Sequence, residues 1–189
     1  MTDSRVRHPT PSTARAAGPS RRTPAALAAA LALGLLAAAM APAPAHAQAD
    51  PPERLRVEGS RFVGPDGETV MLRGFSFSDP DRLDREGVWT RALFEEAREG
   101  WNANVVRLPV HPRAWRARGK DAYLALLDDG IGWAEDVGLW VILDWHTIGN
   151  PVTELFQSDG YNTTRTETLR FWKAIAERYG DRPAVAFYE

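Results

Sequence analysis

The sequence predicts an α/β fold in which short apolar strands of a parallel sheet alternate with helices, behind a small antiparallel hairpin. Three observations predict it. The strand segments are apolar almost throughout, as in strands covered on both faces. The segments between them place apolar residues at helical spacing. From Leu72 onward the order is β-α-β-α-β-α-β, with no internal repeat and no low-complexity segment after the first 50 residues.

The elements follow in order. Leu55–Val57 and Arg61–Val63 flank Glu58-Gly-Ser60, and Thr69–Leu72 follows the turn Gly64-Pro-Asp-Gly-Glu68, so a hairpin opens the domain. Leu72–Phe77 reads as the first strand of the parallel sheet. Trp89–Gly100 reads as a helix with apolar residues at 89, 93, 94 and 97. Asn104–Pro109 is the second strand. Asp121–Val137 is a helix with Tyr123, Leu124, Leu127, Ile131 and Ala134 on one face, stopped by Gly138. Leu139–His146 is the third strand. Thr164–Tyr179 is a helix with Leu169, Trp172, Ile175 and Ala176 facing inward, and Ala184–Tyr188 is the fourth strand. A doubly wound sheet and a (β/α)8 TIM barrel both fit this alternation. A barrel needs about 250 residues, so the barrel reading makes the chain its first half, strands 1–4, ending on a strand whose helix has yet to come.

The first 50 residues differ from the rest. Residues 1–24 carry Arg5, Arg7, Arg15, Arg21 and Arg22 against Asp3, Ala25–Ala41 is uncharged, and small residues follow at A-x-A spacing. This is the pattern of a secretory signal peptide cleaved after Ala47, with Sec rather than twin-arginine export because Thr23-Pro24 follows the arginine pair. The apolar run is too short and too rich in Ala for a membrane anchor. The expected organisation is a signal peptide over 1–47, a flexible leader over 48–54 and a barrel half over 55–189. Without residues 1–47 the chain has 18 basic and 24 acidic residues, a net charge of −6. That excludes a nucleic-acid partner and an anionic membrane surface, and no stable membrane association is expected once the signal is removed. There is no Cys, so a secreted protein of this kind relies on its core alone.

Function in a barrel sits at the carboxyl ends of the strands. The first strand runs into Phe75-Ser-Phe-Ser-Asp79, the second carries Arg107 and leads to His111, and the third ends on Asp144-Trp-His146. Asp144 and His146 are two apart and point to one face. They read either as two metal ligands or as a hydrogen-bonded pair that positions a sugar hydroxyl or a carboxylate; no clear third ligand accompanies them. Arg107, in an apolar strand, needs a partner whatever its role. Trp115, in the loop after the second strand, could stack on a sugar or cover the rim, and Trp145 alternates away from His146 toward the core. Asn162-Thr-Thr164 fits the N-glycosylation pattern, but the signal peptide looks bacterial and the match is read as chance.

Four segments in register resemble glycoside hydrolase family 5: Arg73-Gly-Phe75, Gly100-Trp-Asn-Ala-Asn-Val-Val-Arg-Leu-Pro109, Leu139-Trp-Val-Ile-Leu-Asp-Trp-His146 and Phe171-Trp-Lys-Ala-Ile-Ala-Glu-Arg-Tyr-Gly180. The resemblance implies the (β/α)8 barrel and retaining hydrolysis by two glutamates, with no cofactor. It implies that Arg107 pairs with the nucleophile carboxylate and keeps it ionised, and that His146 lines the sugar cleft. The family's acid/base lies in an Asn-Glu-Pro motif just after strand four and its nucleophile on strand seven. Neither is present, and Glu189 matches the Glu a few positions earlier, so it is not assigned catalysis. The expectation is a secreted endoglucanase on β-1,4-glucan, monomeric at full length, with Arg107, His146, Asp144, Trp145 and Trp115 supporting the site; residues 48–189 alone are expected to be insoluble or molten and inactive. The competing expectations are a non-catalytic carbohydrate-binding module on the same fold and a metal hydrolase built on Asp144 and His146.

Overall fold

A computed structural model describes residues 50–189; the expected signal peptide over 1–47 lies outside the described residues. Strands β1 (Arg56–Glu58) and β2 (Arg61–Val63) pair antiparallel, Arg56 opposite Val63. The turn after β2 is closed by Gly64 N–H to Glu68 O at 2.9 Å and Gly67 N–H to Gly64 O at 3.2 Å. The strand expected over 69–72 shrinks to one bridge, Val63 to Thr69. Asn104 explains this: its amide donates to Met71 O at 2.9 Å and accepts from Arg73 N at 2.7 Å, taking the backbone groups that would have extended the ladder. Of the leader, Glu53 O accepts from Trp140 Nε1 at 2.9 Å and Arg54 donates to Gly180 O at 3.1 Å, so its end is tied to the base of the sheet. Phe62 packs edge-on to Phe187 there, ring centroids 4.9 Å apart.

The main sheet is β3 (Gly74–Ser76), β4 (Val105–Val110), β5 (Trp140–Trp145) and β6 (Val185–Tyr188), all parallel, in that spatial order. Sequence order and spatial order coincide. A doubly wound sheet reverses direction at a switch point; a (β/α)8 barrel adds each strand beside the last, as here. The strands form a partial barrel. Gly74 is required by the first pairing, since a Cβ there would lie 1.7 Å from the Val105 carbonyl oxygen.

Among the described residues five α-helices pack against the sheet: α1 (Pro80–Arg85), α2 (Arg91–Glu95), α3 (Pro112–Arg118), α4 (Lys120–Val137) and α5 (Arg165–Tyr179). Two of them, α1 and α3, were not expected. Each has Pro in its first turn and is too short to show a period. The helix expected over 89–100 starts later, at Arg91, and relaxes into a π-helical turn over Glu96–Gly100. Trp89 stays outside it, buried, with its indole N–H on Leu126 O at 3.1 Å. Helix α4 buries every residue expected of it and ends on Gly138 in the left-handed conformation (φ 75°), with Leu139 N–H reaching back to Ala134 O.

Helix α5 is turned from its expected face. Phe171, Ala174, Ile175 and Tyr179 are buried, whereas Leu169 is 60% exposed and Ala176 is also exposed. Two anchors set this orientation: Phe171 stacks on Trp145 at 4.1 Å, and the Tyr179 hydroxyl donates to Leu124 O at 3.0 Å. Between sheet and helices lies one core, to which β4 gives Val106, Leu108 and Val110 and β5 gives Val141, Leu143 and Trp145. Alternation then forces Arg107, Asp144 and their neighbours onto the opposite, concave face.

Candidate active site

On the concave face one row of polar residues crosses all four parallel strands: Ser76, Arg107, Asp144 and Glu189. Ser76 pairs with Arg107 in the ladder, and Asp144 lies one step further along β5, opposite Pro109. Glu189 continues β6, with Trp145 N–H on Glu189 O and Glu189 N–H on Leu143 O, both at 2.9 Å. The Arg107 guanidinium ties the row together. Nη2 lies 2.7 Å from Asp144 Oδ2 and 3.2 Å from Glu189 Oε1, Nε lies 2.8 Å from Glu189 Oε2, and Nη1 lies 3.3 Å from Ser76 Oγ. Asp144 is buried at the centre of the row.

His146 Nδ1 reaches the same Asp144 Oδ2 at 2.7 Å. Arg107 Nη2 stands 3.4 Å from that nitrogen. Two N–H donors thus converge on one carboxylate oxygen; in the neutral ring that contact places the proton on Nδ1 and leaves Nε2 as an acceptor. The electrostatics follow the contacts. Hydrogen bonding to Arg107 holds the Glu189 carboxyl below its ordinary value, and Glu189 in turn raises the guanidinium. Burial pushes the Asp144 carboxyl up, against the pull of Arg107 and His146.

Next to this cluster stands an aromatic wall that sequence reasoning did not assemble. His111 stacks on His146 with centroids 5.2 Å apart and 26° between planes, and Tyr161 packs on both, at 4.7 Å and 5.6 Å. Asp79 holds the wall from beneath. It is 2% exposed, accepts from Asp81 N at 2.8 Å to cap α1, and accepts from His111 N at 2.7 Å. Burial lowers the His111 pKa, with Asp79 opposing and His146 and Arg82 reinforcing. A sequence signal for Asp79 existed in the Asp79-Pro80 pair, an N-cap followed by Pro at the first helical position. Tyr161 carried none, because its loop has no period.

Of the five residues expected to support the site, the structure brings three together: Arg107, Asp144 and His146. The other two are corrected. Trp145 is 5% exposed and lies on the helix side of β5, stacked on Phe171. Trp115 sits on α3, not in a loop, and is 9% exposed between Tyr123, Trp145 and Phe171. Both are core residues, since strand alternation and the helix packing against it direct their rings away from the concave face. His146 Nδ1, which a metal reading would use as a ligand, is instead 2.7 Å from Asp144 Oδ2. Among the described residues no group of three or more His, Cys, Asp or Glu is placed to hold a metal ion.

Comparison with known proteins gives this geometry a family. The profile of cellulases, glycosyl hydrolase family 5, matches residues 63–188. Endoglucanase A of Butyrivibrio fibrisolvens is 24% identical over 144 residues, covering 71% of this chain and 30% of its own length. Endoglucanase 5 of Pectobacterium carotovorum is 22% identical over 139 residues, covering 71% of this chain and 25% of its own. Among solved structures, a β-glucanase from Saccharophagus degradans, crystallised in complex with cellotetraose, is 39% identical with a TM-score of 0.71; the match covers 78% of this chain and 45% of the β-glucanase chain. The catalytic domain of an endoglucanase from Thermobifida fusca shares the fold, at a TM-score of 0.56 and 22% identity, over 71% of this chain and 41% of that one. This chain therefore spans less than half the length of each of these relatives. With its four parallel strands in barrel order and its polar row at their carboxyl ends, the chain belongs to glycosyl hydrolase family 5, the cellulase family.

Proposed function

We propose that the full-length protein is a secreted, retaining glycoside hydrolase that cleaves β-1,4-glucan internally. The observation that carries this reading is the Arg107 guanidinium, fixed on the concave face between Asp144 and Glu189 with a third edge toward Ser76. A group with five donors in a rigid fork holds carboxylates ionised, and a retaining glycosidase needs one carboxylate ionised as nucleophile and a second protonated as acid, about 5–5.5 Å apart. In this reading both glutamates come from the strands that complete the barrel. Arg107 sets the charge of the nucleophile, and Asp144 fixes Arg107 and the His146 tautomer. The acceptor Nε2 of His146 and the wall of His111 and Tyr161 meet the hydroxyls and the apolar ring face of a sugar. The names of the relatives, endoglucanases and a β-glucanase bound to cellotetraose, support a β-glucan as substrate.

Residues 1–47 are removed at export in this reading, 48–54 lead into the barrel, and residues 48–189 alone do not hydrolyse glucan. The test is to express the full-length gene and assay soluble cellulose derivatives for reducing ends, following the anomer released by proton NMR. Release with the β-anomer appearing first is expected. Binding without cleavage, or first appearance of the α-anomer, overturns the reading. Mass spectrometry of the exported protein checks the cut: an N-terminus at Gln48 is expected, and an uncleaved N-terminus refutes it.

A further inference from the structure

His146 meets Asp144 through Nδ1, and its Nε2 has no partner among the described residues. One bond at Nδ1 leaves the ring free to swing, so the direction of Nε2 depends on what packs against the ring. His111 is stacked on its face with centroids 5.2 Å apart, and Tyr161 stands edge-on at 5.6 Å. Two features of the backbone place His111. His146 N–H meets Val110 O at 3.0 Å, which brings the two histidines together where β4 and β5 end. Pro112 follows His111, the N-cap of α3, and keeps its ψ at 131°. The third hold comes from beyond the end of β3, where Asp79 Oδ2 accepts from His111 N at 2.7 Å. We infer that Asp79 is a positioning residue for the sugar contact of His146 and acts through His111; the inference rests on the glucan reading above, which makes Nε2 a sugar contact.

Capping alone does not account for a carboxylate at this position. Asp79 is the N-cap of α1, and its Oδ1 accepts from Asp81 N at 2.8 Å and Arg82 N at 3.3 Å. Ser or Asn caps a helix as well with one neutral oxygen. Asp79 is instead a charge only 2% exposed, and its one ion-pair contact among the described residues is the His111 ring, Nδ1 at 3.9 Å from Oδ2. The Tyr123 hydroxyl, buried beside Asp79, forms no hydrogen bond of normal geometry with it. A buried carboxylate without a guanidinium or ammonium partner costs stability. What it adds over a neutral cap is the second oxygen, and that oxygen holds His111. Asp79 is itself rigid, because Pro80 follows it and its ψ is 129°. Two residues fixed by prolines, at neighbouring strand ends, are thus joined through one carboxylate, and the ring of the second is the surface on which His146 rests.

Asp79→Ser separates the two roles of the carboxylate. Its hydroxyl still caps α1 but is too short to reach His111 N–H. The full-length protein would be assayed on soluble cello-oligosaccharides and titrated calorimetrically with a non-hydrolysable thio-linked cellotetraose. Without the hold on His111, the His146 ring must be ordered at each binding event, a loss shared by ground and transition states. KM and Kd are therefore expected to rise about fivefold in Asp79→Ser, with kcat within about twofold. Adding Asp79→Ser to His111→Ala is expected to raise neither any further, because the residue through which Asp79 acts is already gone. A purely structural Asp79 lowers the folded fraction, and with it kcat and the melting temperature, and leaves KM and Kd unmoved; that result overturns the inference. So does a further rise in the double variant, or loss of folding in both Asp79→Ser and Asp79→Thr. An enzyme that cleaves glucan with KM and Kd unmoved in Asp79→Ser keeps its proposed function and loses the positioning role. A protein that binds the tetraose without ever cleaving glucan, with Kd raised in Asp79→Ser and no further in the double variant, keeps the positioning role and loses the proposed function. Failure to bind the tetraose at all overturns both.

Discussion

Replacing Asp144 by Asn tests the centre of the polar row. The Asp144 side chain is 5% exposed, and both its bonds fall on Oδ2, from Arg107 Nη2 at 2.7 Å and His146 Nδ1 at 2.7 Å. An amide offers a single neutral oxygen there, and its NH₂ repels whichever donor it faces. Removing one partner of a fully buried ion pair costs about 3–5 kcal/mol. The Arg107 side chain is 23% exposed and keeps Glu189, so water and that carboxylate recover part of the loss. The expected destabilisation is about 2–3 kcal/mol, the lower part of the range set by one or two charge-assisted hydrogen bonds. In a domain of barrel size that lowers the melting temperature by about 5–10 °C. Calorimetry and urea unfolding of the full-length protein measure it. The companion experiment is a double-mutant cycle with Arg107→Met, in which the paired apolar replacement Asp144→Leu with Arg107→Met restores most of what Asp144→Leu alone loses. Losses that simply add, within about 0.5 kcal/mol, would show that the two side chains do not depend on each other and would refute the reasoning.

Three further outcomes follow from the same geometry. Trp145→Ala removes a ring stacked on Phe171 in the core, so it costs about 3–5 kcal/mol of stability; KM for short glucans measured on the folded fraction stays put, and a raised KM with unchanged stability would return Trp145 to the cleft. His111 has its pKa lowered by burial, against Asp79 and with His146 and Arg82 facing it, so the unfolded chain binds its proton first. Stability linked to His111 is therefore present above the ordinary histidine pKa and is lost as pH falls from there toward the lower folded value; urea midpoints at pH 7 and pH 5 should differ less in His111→Gln than in the unaltered protein. Asp128 has its pKa lowered by hydrogen bonds from Arg178 and Tyr179, so its contribution holds above the ordinary carboxylate pKa and is lost as pH falls toward the folded one. Asp128→Asn should cost about 1 kcal/mol at neutral pH, as expected for partly exposed groups, and less in acid, where an equal cost at both pH values would contradict the assignment.

The parallel sheet and the succession of its elements along the chain were legible because apolar strands and amphipathic helices of ordinary length leave a period in the sequence; that period left the spatial order of the strands open between a doubly wound sheet and a barrel. The polar row was half legible. Arg107 stood out as a charge inside an apolar strand, and Asp144 and His146 as an alternating pair at a strand end. What could not be read was which groups would meet across strands. Glu189 reaches Arg107 over 82 positions of chain, a distance no local period spans. Trp115 was misplaced for a related reason, whereas strand alternation already turned Trp145 toward the core. Trp115 lies on a helix of seven residues, too short to announce itself, and its burial depends on Phe171, 56 positions later, whose own face was set by Trp145. The orientation of α5 was lost for want of the same tertiary contact: Leu169 and Phe171 are equally apolar, and only the stack on Trp145 decides between them.

The polar row also separates stability from function at a single position. Val105 and Leu108 show what β4 does where nothing but packing is required: it fills the space with branched apolar residues. Arg107 interrupts that run, and its presence costs desolvation that the contacts to Asp144, Glu189 and Ser76 offset without surplus. Apolar residues of matching volume in place of a buried ion pair are commonly neutral or stabilising by about 1–4 kcal/mol. A sheet shaped by stability alone would therefore continue Val and Leu through this row. The row instead confines its charge to three consecutive strands, β4 to β6, on the face away from the helices. It spends Asp144 on fixing Arg107 and His146 rather than on solvent, and it leaves the opposite face wholly apolar. Packing gives no reason for that arrangement, whereas the proposed role of positioning a carboxylate and a sugar does.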